Sequence, residues 1–204
     1  MARLKTKWNQ KERERTPEQI ASAVGANIWL LAGDSCLYLE NEGFETTTLS
    51  QRVDVISEFL AFCLHIIDRM TYGEIEEEER VRFINALGLH MAQLIDDSRF
   101  DTDGPGEYKK AFINLLNERM NEYSECSYDE EEGPGFNLKR IAANHVRDTM
   151  GEKDQKWIPD YVIDVEIPKM LKGLNRIMNG MGDSIERADF EMPPIPENGT
   201  WGDE

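Results

Sequence analysis

Three histidines, His65, His90 and His145, are the residues of this 204-residue sequence best placed to do chemistry. Imidazole titrates near neutrality and is a common metal ligand. Each histidine falls on a different stretch of helical periodicity, so a bundle core could gather all three. Carboxylates lie nearby at helical spacing. Glu58 stands seven residues before His65 and Asp68 three after it, while Asp148 stands three after His145. Asp34 is the lone charge between Ile20 and Leu39. A carboxylate in such a stretch must reach water or find a partner, and Arg52, His65 and His90 are conceivable partners. Together His65, His90, His145, Asp34 and Glu58 could form a His/carboxylate site for a transition-metal ion, in a redox or storage bundle.

Against this stands a plainer reading of each residue. The positions three before the histidines are Phe62, Leu87 and Ala142, so the Glu-x-x-His pairs of di-iron bundles are absent. His65 lies on a polar stripe and is expected to face water. His90 and His145 lie on apolar stripes and are expected to be hydrogen-bonded core histidines. Asp34 is expected to reach solvent or to pair with an arginine.

Other chemistries find no support. There is no GxSxG elbow and no HExxH or CxxCH motif. Cys63 and His65, two apart on one helix, point in different directions. If Gly104 took the glycine position of a calcium loop, Arg99 and Lys110 would fall on ligand positions, so that motif fails. Gly133-Pro134-Gly135 follows the acidic run Asp129–Glu132, the wrong charge for a phosphate cradle. The chain reads as a binding protein rather than an enzyme, with no resident cofactor expected.

The elements that must position these residues are helical. Thr16, Pro17 and Gln19 open a first helix that Gly43 closes, and Thr48 and Gln51 open a second that Gly73 closes. A third begins at the acids Glu76–Glu79, which suit a helix N-terminus, and ends in the loop 101–106. A fourth covers about 107–126 and a fifth 136–150, before Gly151. A last helical region, 159–180, is interrupted by Pro168, where a kink or a split is expected. No segment alternates like a strand. The expected fold is therefore all-α, an antiparallel bundle of about six helices in one domain, 16–182. It is flanked by a basic arm, 1–15, and an acidic, proline-containing tail, 183–204.

Composition bounds the function classes. The formal charge of −17 repels nucleic acid and anionic membranes, so neither is an expected partner, despite the basic arm with Trp8. Acidity also admits, on charge alone, mimicry of nucleic acid toward a basic partner. Three cysteines without a CxxC pair, and an N-terminus without an apolar leader core, point to a reducing, cytoplasmic setting. The segment 20–39 is long enough to span a bilayer, but Asp34, Asn27, Gly25 and Gly33 favour a helix buried on most sides in the bundle or in a subunit interface. These features lead to one expectation: a helical binding or regulatory protein acting through protein contacts, as a homo-oligomer. The tail, with Pro193–Pro196 and Trp201, would suit a docking peptide.

Overall fold

A computed structural model describes residues 16–151 and 155–180. Six helical regions pack against one another: α1 (Pro17–Asn41), α2 (Leu49–Thr71), α3 (Glu77–Asp103), α4 (Tyr108–Ser124), α5 (Phe136–Thr149) and a composite last region. That last region joins α6 (Ile158–Tyr161), a π-helical turn (Val162–Glu166) and α7 (Ile167–Gly180). The all-α bundle expected from periodicity is what forms. The basic arm and the acidic tail lie outside the described residues.

Local chemistry explains the helix starts. The Thr16 hydroxyl accepts from the Gln19 amide at 3.4 Å and the Gln19 side chain accepts from the Thr16 amide at 3.3 Å, a reciprocal capping box. At α2, Thr48 accepts from the Gln51 amide at 3.1 Å, but Gln51 accepts from the Thr47 amide instead of its cap residue. Its NH2 donates to the carbonyl of Thr149, fastening the start of α2 to the end of α5. Gly43 and Gly73 take positive φ (90° and 73°) just past α1 and α2, which L-residues resist.

Three features depart from the sequence expectation. The acidic loop is pinched by a short antiparallel pairing of β1 (Tyr128–Asp129) with β2 (Gly133–Pro134). Within it, the Asp129 carboxylate accepts from the amides of Glu131 and Glu132 at 2.8 and 2.9 Å, and these bonds hold its carboxyl below the usual range. The last region is not simply broken at Pro168. A regular α-helix would lose the hydrogen bond of residue 168 and drive the proline ring against the carbonyl four residues earlier. The chain instead widens one turn just before it, and the Ile167 amide donates to the carbonyl of Val162, five residues back.

The third departure concerns burial. The most apolar helix, α1, is not the central one. α2 is: every residue from Ser57 to Ile67 is buried. α1 packs one face inward through Ala21, Val24, Ile28, Ala32 and Leu39. Its closest approach is to α3, where a Cβ added at Gly25 would lie 2.5 Å from His90 Cδ2. α7 crosses α1 antiparallel. Gly173 sits against Leu31, and Lys169 lies over the ring of Tyr38 with Nζ 4.1 Å from its centroid.

Candidate functional site

The five sequence candidates are not brought to one place. Asp34 is exposed on the outer side of α1, and none of its conceivable partners reaches it. Arg52 instead pairs with Glu40 at 2.6 Å. Partial desolvation among apolar neighbours nudges the Asp34 carboxyl above its usual range. His90 is half-buried against Gly25, in the α1–α3 contact. His145, on α5, is hydrogen-bonded through Nε2 to the carboxylate of Glu122 on α4 at 2.6 Å.

Glu58 and His65 share the buried side of α2. The sequence expectation for His65 was wrong: it does not face water but is 2% exposed. Its stripe is polar by sequence, yet α4 lies across it. Burial, together with the nearby Arg69 charge, pushes the His65 imidazole down to about 4, so it is neutral at physiological pH. Glu58, 3% exposed, is gripped from α4 by Arg119, whose Nε and NH2 each donate to a carboxylate oxygen at 2.7 Å.

These residues belong to a polar layer between α2 and α4 that sequence reasoning missed. Tyr123 lies at its centre, fully buried, its ring 5.5 Å from that of His65 and 6.5 Å from that of Phe62. Burial, together with the Glu58 carboxylate, pushes the phenol well above its ordinary range. Tyr123 OH, His65 Nε2 and Arg69 Nε are buried without a hydrogen-bond partner. Buried polar atoms without a partner cost stability. Arg119 and Tyr123 were invisible as partners because each reads as an ordinary member of one helix; only their four-residue spacing puts them on one face toward Glu58.

Carboxylates in and around this layer are already engaged by arginines. Both Glu58 oxygens are engaged by Arg119, Asp68 is paired with Arg80, and Asp148 with Arg147. Among the described residues, no group of three or more His, Cys, Asp or Glu side chains is arranged to hold a metal ion. Of His65, His90, His145, Asp34 and Glu58, only Glu58 and His65 share one contact of the bundle; His90 lies at the α1–α3 contact, His145 beside Glu122, and Asp34 on the outer side of α1. Burial pushes the Cys36 thiol up to about 12 and Cys63 higher, away from the thiolate form that nucleophilic work needs.

The surface feature that stands out is the outer face of α1. Leu30, Leu37 and Tyr38 are exposed by 39%, 41% and 47%, and Ala26 is exposed beside them. Positions 23, 26, 30, 33 and 37 follow one another at helical spacing, so they share this face. A Cβ added at Gly33 would meet nothing within 4 Å. The helix's other acids are neutralised elsewhere, Glu18 by Arg82 at 2.9 Å and Glu40 by Arg52. Asp34 is left as the face's one charge. By length and composition α1 is also the one helix among the described residues able to cross a membrane.

The chain matches no protein-family model, no curated protein and no solved structure. The functional reading therefore rests on the molecule's own geometry.

Proposed function

We propose that this chain is a non-enzymatic helical protein that works through protein contacts, with the outer face of α1 docking a second copy of itself. The observation that carries this is the exposure of Leu30, Leu37 and Tyr38 on a helix whose other side is fully committed to the core. Burying a leucine side chain stabilises by about 1.5–3 kcal/mol, and in a twofold pairing each residue counts twice. Ala23, Ala26 and Gly33 leave room for a second helix to come close. The single charge sets the pairing sense. Parallel helices would press one Asp34 against the other. Antiparallel helices crossing at Leu30 would hold the two carboxylates about 12 Å apart along the axis, at 1.5 Å per residue. The absence of disulfides among Cys36, Cys63 and Cys126 fits a reducing, cytoplasmic setting for this work.

Sedimentation velocity over a wide concentration range tests the reading. The expected result is a concentration-dependent dimer that Leu30→Glu or Leu37→Glu abolishes while the helical circular-dichroism signal is kept. A particle that stays monomeric at every concentration, or a dimer indifferent to both substitutions, would overturn it.

A further inference from the structure

The face proposed for the second copy borders a second feature, and the two together select a ligand. α7 carries Lys169, Lys172 and Arg176 and no acid, in a chain whose formal charge is −17. The three are spaced three and four residues apart and all are exposed, so they form one basic stripe. Lys169 brings the stripe to the edge of the apolar face, its ammonium over the Tyr38 ring and already paired with the buried Glu166 at 3.0 Å, so among the described residues Lys172 and Arg176 are the stripe's open charges. An apolar strip (Leu30, Leu37, Tyr38) beside a basic one fits an acidic segment with large apolar residues.

We propose that residues 181–204 of this same chain are that segment and dock in cis along α1 and α7, covering the face assigned above to self-association. The inference rests on the reading of that face as a contact surface and names its regulation. Sequence supports it first. The segment holds seven acids against Arg187, with Phe190, Met192, Ile195 and Trp201 among them. The other terminal segment, 1–15, has six basic residues and two acids, the wrong sign for this stripe. Topology supports it next. Because α7 runs antiparallel to α1, with Gly173 against Leu31 and Lys169 against Tyr38, its last residue, Gly180, lies level with about residue 24 of α1. From there to Tyr38 is about 21 Å of helix, which roughly seven extended residues span. The segment has 24 residues, and its prolines 193, 194 and 196 favour an extended run. Both copies must be open to pair, so a segment holding each face nine-tenths of the time would weaken self-association roughly a hundredfold.

Carbodiimide cross-linking of the full-length protein, mixed half and half with its 15N-labelled form, tests this. The expected products are amide links within single chains, joining Lys169 or Lys172 to acids between Asp183 and Glu204. The variant Lys172→Glu/Arg176→Glu should lose them, keep its helical signal and dimerise up to roughly a hundredfold more tightly. No link from the segment to these lysines, or links found only between light and heavy chains, would overturn docking in cis. The two readings fail separately. A dimer without intrachain links sinks the docking and leaves self-association standing. Intrachain links in a protein that never dimerises, even as the charge-reversal variant, sink self-association, and with it the regulatory role of the docked segment.

Discussion

Glu58 and Arg119 satisfy each other almost completely, and that makes each a liability without the other. Removing one partner strands a buried charge, which costs about 3–5 kcal/mol, whereas exchanging both for apolar residues of similar size is often close to neutral. Urea denaturation should therefore show Arg119→Leu and Glu58→Leu each far less stable than the parent, and the double variant recovering most of the loss. Additive effects would mean the two side chains do not depend on each other. His65 supplies a pH dependence of definite sign. Its folded value of about 4 lies below the ordinary 6.5, so on acidification the unfolded chain binds the proton first. The contribution of His65 to stability is complete above pH 6.5, falls as pH drops toward 4, and is constant below that. The full loss is about 3 kcal/mol at most. Comparing denaturation midpoints of the parent and His65→Phe across this window isolates the effect: the variant should lose the part of the slope that His65 supplies.

At the scale of the elements, the α1–α3 contact is set by a glycine. At Gly25 a methyl group would gain up to about 1 kcal/mol of helix propensity but would collide with His90 Cδ2, and overpacking costs about 1–3 kcal/mol. Gly25→Ala should lower the melting temperature in the parent and raise it when His90 is already alanine; a rise in both backgrounds would show that the ring moves aside freely, and a fall in both that a neighbour other than His90 resists the methyl group. The elements themselves were legible in the sequence. Thr16-Pro17 and Gln19, the first-turn acids of α3 and the closing glycines 43 and 73 act within one or two turns, where chain neighbours decide the outcome. What stayed hidden depends on which helix lies over which. Amphipathic patterning puts His65 on a polar side, and only the placement of α4 turns that side inward. Hydropathy makes α1 look central, yet it is α2, polar residues included, that the other helices surround. The layer of Glu58, Arg119 and Tyr123 joins positions 61 residues apart, a distance over which local pattern carries no information.

For the whole molecule, charge and shape pull in opposite directions. Two copies, each at −17, repel, while in the proposed pairing the α1 faces would attract through buried area. Raising the ionic strength shortens the reach of the repulsion to a few ångströms at molar salt but leaves apolar burial intact. The proposed dimer should accordingly tighten with added sodium chloride in sedimentation runs; weakening with salt would point to an interface held by ion pairs instead. The wide turn at Val162–Glu166 bears on the same balance. Apolar residues 158, 162, 167, 170, 174 and 178 are all buried, and the step from Val162 to Ile167 is five residues where its neighbours are three or four. The turn thus behaves like one surplus residue absorbed into a helix, and it acts as a phase adjuster. Were the same residues wound there as a regular α-helix, everything beyond the turn would be carried round by about 100°, the angle per residue of an α-helix. Met170 and Leu174 would leave the core, and Lys169, Lys172 and Arg176 would no longer border Tyr38. Where this acidic molecule shows its positive side is decided by a single residue's worth of backbone.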